Sequence, residues 1–133
     1  MNKRLLFIPL LFAALSASSQ ENIYSLLNKE IVLHDSFAGQ SFTLVQENNN
    51  YYIHRKIFGS GIRYIGTIVY NVVFNSEYKI TFSEIFTVSE NIRDRYNRNE
   101  IFSIEYGNDI KKKIDIKLAI YLNGLKLAIA YIE

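Results

Sequence analysis

Histidine, aspartate and serine stand side by side in the chain, and these are the three residue types of a hydrolytic catalytic triad. They occur as His34-Asp35-Ser36. On an extended strand, Asp35 points to the face opposite His34 and Ser36, whereas a triad needs hydrogen bonds joining base, orienting acid and nucleophile. We therefore interpret the segment as a strand end that runs into a polar turn.

Few other groups in the chain are suited to metal or nucleotide chemistry. His54 is the only other histidine and there is no cysteine, so a zinc site is not expected. Gly59-Ser60-Gly61 lacks the further glycine and the strand-to-helix context of a phosphate-binding loop. The glutamates share no motif that pairs two carboxylates for glycoside hydrolysis. The sequence therefore predicts a protein that is not an enzyme and that holds no metal or cofactor.

The first nineteen residues have the organisation of a secretory signal peptide. Lys3-Arg4 precedes the apolar run 5–15. This run is too short for a membrane-spanning helix, which needs about 20 residues. Small residues follow, and Ala17 and Ser19 fit the −3 and −1 positions of a signal-peptidase site. We expect cleavage after Ser19, or alternatively after Ala17, and an extracytoplasmic location, either periplasmic or secreted.

Removal of the predicted signal peptide, residues 1–19, defines both the domain and its charge. Of 133 residues, 114 remain as a single β-rich domain, 20–133, with no linker and no internal repeat. Two of the 15 basic residues are lost, which leaves 13 basic against 13 acidic residues and a net charge of zero. A neutral chain gives no electrostatic reason to expect nucleic acid as a partner. No later segment is apolar and long enough to be a transmembrane helix, and no disulfide can form.

Strand-forming residues separated by turn residues predict a mainly β fold after a short helix that begins behind Asn22. We expect an antiparallel meander of about eight strands, closed into a small barrel or forming a strongly curved sheet. The expected strands lie at about 31–35, 41–47, 51–58, 61–74, 77–87, 101–106, 110–122 and 125–132. A T-x-x-E capping box at Thr87 and Glu90 predicts a helical segment near 88–98.

Two local signals within the strands are specific. Asn123-Gly124 predicts a two-residue hairpin turn, because both of its positions need a positive φ. Counting outward from that turn pairs Ile120 with Leu127 and Leu118 with Ile129, which places the apolar residues on one face. In the long strand 61–74, Gly66 indicates a bend or a close approach of another segment.

A short segment of the predicted fourth strand is similar to a known family. Ser60-Gly61-Ile62-Arg63-Tyr64 resembles the S-G-x-x-Y segment of periplasmic inhibitors of c-type lysozyme, which are small β-barrels. The resemblance implies that Ser60 enters the lysozyme cleft and that Tyr64 supports its loop. The family's downstream lysine corresponds here to Phe74, and the family's usual disulfide is absent.

The predicted meander also resembles the general plan of lipocalin-type barrels, which hold small apolar ligands. Their G-x-W motif is missing, since Gly39 is followed by Gln40-Ser41-Phe42 and the chain has no tryptophan. This resemblance implies an internal cavity lined by apolar side chains.

Together these observations predict a non-catalytic extracytoplasmic β-domain that acts by binding a protein partner. Tyr51, Tyr52 and Tyr70 are candidate contact residues, because exposed aromatic side chains anchor interfaces. Ser60 and Tyr64 join them through the lysozyme-inhibitor resemblance. A lipocalin-like carrier of a small apolar ligand is the alternative, and a lysozyme-inhibitor-like protein is a further alternative.

Overall fold

The computed structural model describes residues 22–33, 40–59, 63–96, 99–108 and 116–132. Within these ranges there are ten β-strands and two short 3₁₀ helices. In chain order, the strands are β1 (Glu30–Val32), β2 (Ser41–Glu47), β3 (Asn50–Gly59), β4 (Arg63–Asn71), β5 (Val73–Ser76), β6 (Lys79–Phe82), β7 (Ile85–Val88), β8 (Phe102–Asn108), β9 (Ile116–Leu122) and β10 (Leu125–Ile132).

The ten strands form two separate antiparallel sheets of five strands each. The first sheet has the order β1-β2-β3-β4-β7, and the second sheet has the order β10-β9-β8-β6-β5. The predicted mainly β, antiparallel fold is confirmed. The strand number is higher than the predicted eight, and the described strands form two sheets instead of one closed barrel or one strongly curved sheet.

The additional strands arise because the chain changes sheet twice where one long strand was predicted. The predicted strand 61–74 divides at Val72 into β4 of the first sheet and β5 of the second. The predicted strand 77–87 divides between Phe82 and Ile85 into β6 and β7, and so returns to the first sheet. Neither crossing contains a glycine or a proline, so the residue pattern looks like one continuous strand.

Aromatic rings fill the space between the two sheets. Phe42 on β2 packs edge-on against Phe82 on β6 and Phe102 on β8, at centroid distances of 5.4 and 5.3 Å. Tyr70 on β4 contacts Phe82 at 5.3 Å, and Phe82 stacks on Phe102 at 5.4 Å. Rings of this size bury about 150–250 Å² each, so these four side chains make a large part of the core.

A 3₁₀ helix, Ile23–Leu26, ties the two sheets together at the start of the described chain. Asn22 accepts a hydrogen bond from the Tyr24 amide at 3.0 Å, which confirms the predicted cap. Ile23 and Leu26 are buried in the core. The Ile23 amide donates to the Glu77 carbonyl at 2.8 Å, in the turn between β5 and β6. We call this helix the plug.

The second 3₁₀ helix, Glu90–Arg95, lies in the region where a helical segment was predicted, but it is shorter. The predicted capping box is wrong, because Thr87 belongs to β7 and the cap position is Ser89, whose side chain makes no cap hydrogen bond. The Ser89 hydroxyl instead accepts from the Thr67 amide at 2.9 Å. Ile92 packs onto Gly66, where a Cβ atom would lie 2.8 Å from Ile92 Cδ1.

The terminal hairpin confirms the predicted turn and corrects the predicted pairing. Asn123 and Gly124 have φ angles of 52° and 85°, as the turn type requires. Leu122 pairs with Leu125 as expected, but a β-bulge then shifts the register, so that Ile120 pairs with Ala128 and not with Leu127. The shift likewise pairs Leu118 with Ala130 and Ala119 with Ile129. The bulge places Ile129 on the outer face, where its side chain is exposed.

Candidate functional site

The three predicted contact tyrosines do not form one exposed patch. Tyr51 and Tyr52 are consecutive on β3, so their side chains point to opposite faces of the first sheet. Tyr70 lies in the core with 2% of its surface exposed, and Tyr52 is 8% exposed beneath the ring of Phe86. Of the three, Tyr51 is the one that contributes to a surface cluster.

The residues carried over from the lysozyme-inhibitor resemblance are only partly described. Ser60 lies outside the described residues, as does the His34-Asp35-Ser36 segment. Tyr64 near the start of β4 is 52% exposed, and its hydroxyl lies 2.5 Å from the Thr67 hydroxyl. This contact orients the Tyr64 side chain along β4.

Chemistry-bearing groups are sparse in the described part of the chain. His54 faces Thr43 and Val69 on the neighbouring strands. Within the described ranges, no group of three histidine, aspartate or glutamate side chains is arranged to hold a metal ion.

Three aromatic rings meet on the surface beside the plug. Tyr24 of the plug stacks on Phe74 of β5 at a centroid distance of 5.0 Å and an interplanar angle of 12°. Tyr51 of β3 meets both rings edge-on, at 5.6 Å from Tyr24 and 5.0 Å from Phe74. Tyr24 remains 42% exposed, so the cluster presents ring surface to solvent. It joins the plug to one strand from each sheet.

Two further exposed residues, Glu77 and Tyr78, form the turn between β5 and β6. Glu77 is exposed, and its carbonyl accepts the hydrogen bond from Ile23 that holds the plug in place. Tyr78 is 43% exposed and its ring lies 6.5 Å from that of Tyr106. We call the cluster of Tyr24, Tyr51 and Phe74 the plug patch.

Sequence reasoning identified only Tyr51 of the plug patch. The spacing of Ile23, Leu26 and Leu27 on the predicted helix left Tyr24 on the outward side, and that signal marks it as exposed. Nothing local in the sequence places Phe74 next to Tyr51, because the two residues lie on strands of different sheets. The cluster therefore emerges only from the tertiary fold.

A buried arginine forms a second unusual arrangement, inside the molecule. Arg55 on β3 is 1% exposed. Its Nε donates to Gln40 Oε1 at 2.8 Å, and its Nη1 donates to the Tyr70 hydroxyl at 2.8 Å and to Glu100 Oε1 at 3.0 Å. A buried cation with these acceptors is stabilised as part of the core, because the acceptors replace the water it has lost.

The environment of Arg55 also affects Tyr70 and two neighbouring rings. Burial raises the pKa of the Tyr70 hydroxyl above its usual value of 10.0, and the charge and hydrogen bond of Arg55 offset part of this effect. The guanidinium carbon lies 5.2 Å from the centroid of Tyr96 and 5.0 Å from that of Phe102. Arg55 thus links segments that are far apart in the chain, and its role in the described structure is to position them.

Comparison with known proteins identifies no family for this chain. It matches no family model, and it has no match among curated proteins or solved structures. Within the described residues, no helix is long and apolar enough to span a membrane.

Proposed function

We propose that this chain is a non-catalytic, extracytoplasmic domain that binds a protein partner through the plug patch. The observation that carries the proposal is the cluster of Tyr24, Tyr51 and Phe74, which displays aromatic surface at the junction of the plug and both sheets. Tyrosine is among the residues that contribute most to binding energy at protein interfaces.

The plug patch is suited to binding because its rings are already held in place. Tyr24 contacts both Phe74 and Tyr51, and the plug itself is fixed by buried Ile23 and Leu26. Ordering a free side chain at an interface costs about 0.5–1.5 kcal/mol, and a ring that is fixed before binding avoids most of that cost.

The interior of the molecule favours partner binding over carriage of an apolar ligand. The rings of Phe42, Tyr70, Phe82 and Phe102 contact one another between the sheets. A carrier of an apolar ligand needs an internal cavity in this space between the two sheets. In the described residues, the protein's own side chains occupy that place.

The extracytoplasmic location rests on the signal-like organisation of residues 1–19. Cleavage after Ser19 makes Asn22, the cap of the plug, the third residue of the mature chain. The plug, with Tyr24, then lies close to the mature N-terminus and is retained in the exported chain.

Paired substitutions on the surface test the proposal. Tagged wild-type protein, Tyr24→Ser and Tyr64→Ser are recovered from the native extracytoplasmic fraction, and the co-purifying proteins are compared. Tyr64 is the comparison residue because it is comparably exposed, lies outside the plug patch and is the tyrosine that the lysozyme-inhibitor resemblance implicates instead. We expect a partner that is retained by wild type and Tyr64→Ser and lost by Tyr24→Ser.

Circular dichroism first establishes that each variant is folded. A partner that binds all three proteins equally, or that depends on Tyr64 alone, contradicts the assignment of the binding surface. Absence of any stoichiometric partner for wild type contradicts the proposed function itself.

A further inference from the structure

We propose that Asn123 is a site of spontaneous covalent modification, and that its isoaspartate product detaches the terminal hairpin from the start of β8. Asn123-Gly124 is the one asparagine–glycine pair in the chain. Both residues are exposed at the tip of the β9–β10 hairpin. Asparagine is a thermolabile residue, and a following glycine leaves the backbone nitrogen open to react with its side chain.

Two hydrogen bonds join Asn123 to the residue that precedes β8. The Asn123 amide donates to the Ile101 carbonyl at 2.7 Å. The Ile101 amide donates to the side-chain oxygen of Asn123, Oδ1, at 2.9 Å. The regular ladder between β9 and β8 ends at the pair Leu122 and Phe102, so Asn123 extends this pairing by one residue through its side chain. We call the two bonds between Asn123 and Ile101 the turn clasp.

The modification needs only the two turn residues and water. The Gly124 nitrogen attacks Cγ of Asn123, the Cγ–Nδ2 bond breaks, and Nδ2 leaves as ammonia with the proton of the Gly124 amide. Water then opens the cyclic imide at either of its two carbonyls. Opening at Cγ gives aspartate, whereas opening at the main-chain carbonyl gives isoaspartate, in which the backbone runs through Cβ and Cγ.

The tip of the hairpin has room for this reaction. A Cβ atom built on Gly124 would have no heavy atom within 4 Å beyond its chain neighbours. Leu125 is 75% exposed, so little apolar packing opposes a local opening of the tip. Such local openings cost much less free energy than global unfolding. The Asn123 side chain can therefore leave Ile101 and approach the Gly124 nitrogen while both sheets stay folded.

The two products differ in what they do to the turn clasp. Aspartate keeps an oxygen at the position of Asn123 Oδ1 and still accepts from the Ile101 amide. Asp-Gly is also a favoured pair for this type of turn. Isoaspartate lengthens the backbone of the turn by one atom and removes the side-chain acceptor. The turn clasp is therefore lost in the isoaspartate form and kept in the aspartate form.

Loss of the turn clasp also affects the buried arginine network. Glu100 directly precedes Ile101, and its carboxylate accepts from Arg55 Nη1 at 3.0 Å. The segment that holds Glu100 is thus fixed to the core on one side and to the hairpin tip on the other. We expect the isoaspartate form to unfold at a lower urea concentration than the unmodified protein.

Ageing of the intact mature protein at mildly alkaline pH tests the modification site. Fragment mass spectra locate each converted amide and distinguish isoaspartate from aspartate. Asn75 is the internal control, because it is exposed and its Oδ1 accepts from the Thr81 hydroxyl at 2.6 Å, but the next residue is Ser76. We expect conversion at Asn123 to be about tenfold faster than at Asn75, with isoaspartate as the main product.

Hydrogen exchange of the Ile101 amide tests the structural consequence. We expect exchange to be about tenfold faster in the isolated isoaspartate form, because this amide has lost its acceptor. Freshly purified Asn123→Asp is the matched control, since it carries the added charge and keeps the acceptor oxygen. Its Ile101 exchange is expected to stay within about twofold of wild type.

Conversion at Asn123 that is no faster than at Asn75 overturns the modification site. Equal Ile101 exchange in the isoaspartate form and the unmodified protein overturns the role of the turn clasp. If Asn123→Asp loses as much protection at Ile101 as the isoaspartate form does, the added charge is the cause and the proposed change of the backbone is contradicted.

Discussion

Arg55 shows how one charged residue can be part of a β-sheet core. Its side chain points into the core, as do those of Ile53 and Ile57 on the same strand, β3. Every hydrogen bond described for its guanidinium group goes to a side chain from another segment. Removing one partner of a buried charged network leaves the others desolvated and unpaired, which costs more than the net value of the interaction.

We predict that Arg55→Ala lowers the free energy of unfolding by about 3–5 kcal/mol, because it leaves both a cavity and buried acceptors. Lys56→Ala is the matched control. Lys56 is the next residue on β3, exposed on the other face, and its only described ion pair is a long one to Glu30 at 3.9 Å. We expect a change within about 0.5 kcal/mol for this control. Urea unfolding measures the free energy of unfolding of both variants. Equal losses of stability for Arg55→Ala and Lys56→Ala contradict the structural role of Arg55.

Tyr70 gives the protein a predicted sensitivity to alkaline pH. Because burial raises the pKa of its hydroxyl, the folded state holds that proton more tightly than the unfolded chain does. This difference stabilises the folded state below pH 10, which is about the pKa of the hydroxyl in the unfolded chain. The stabilisation is lost as the pH rises toward the higher pKa of the hydroxyl in the folded state. We predict that Tyr70→Phe is less stable than wild type at neutral pH and that the difference narrows above about pH 10. Chemical unfolding across this pH range measures the difference, and a constant gap contradicts the prediction.

At the scale of residues, the sequence indicates where Arg55 points but not what it meets. Its spacing from Ile53 and Ile57 places it on the apolar face, and this signal is visible in the sequence alone. Glu100 and Gln40 come from segments with no local pattern that connects them to β3. The packing of the whole fold determines which side chains become the hydrogen-bond acceptors of Arg55.

The contact between the second 3₁₀ helix and β4 depends on a glycine. At Gly66, a Cβ atom would lie 2.8 Å from Ile92 Cδ1 and 3.1 Å from Ser89 Cβ. We predict that Gly66→Ala lowers the free energy of unfolding by about 1–3 kcal/mol through overpacking. Gly59→Ala is the control, because the nearest atom to its added Cβ is Ile65 Cγ2 at 3.4 Å. Thermal unfolding compares the two, and a Gly66→Ala protein no less stable than Gly59→Ala contradicts the close packing.

At the scale of elements, turn chemistry was predictable and strand register was not. Asn123-Gly124 specifies its own turn, because few other residue pairs adopt two consecutive positive φ angles. The bulge between Lys126 and Ala128 has no comparable sequence signal, and it shifts every later pair by one residue. Alternation of apolar residues therefore predicted the hairpin but assigned Leu127 and Ile129 to the wrong partners.

At the scale of the molecule, strand content followed from the sequence, whereas the division into two sheets did not. Val72 marks the point where the chain passes from β4 to β5, and it is an ordinary strand-forming residue. The change of sheet is decided by burial, since Tyr70 packs in the core from one sheet and Phe82 packs against it from the other. Alternation of apolar and polar residues with a period of two is expected both for one long strand and for two shorter strands in different sheets.

The filled interior leads to a prediction for the purified protein. We expect native mass spectrometry of the mature chain, purified with its own signal sequence, to show the mass of residues 20–133 without a bound small molecule. The same spectrum reports the cleavage site, with Gln20 as the expected first residue. A reproducible additional mass that is released on unfolding contradicts the binding-domain account and supports an apolar-ligand carrier.

The most direct test of the central proposal is photo-crosslinking from the plug patch in the native compartment. A benzoyl-phenylalanine residue replaces Tyr24 in one protein and Tyr64 in a second, and irradiation is followed by identification of the crosslinked species. We predict a discrete adduct with a different protein from position 24 and none from position 64. Adducts of equal yield from both positions, no adduct from position 24, or an adduct that consists of two copies of this chain contradicts the proposal.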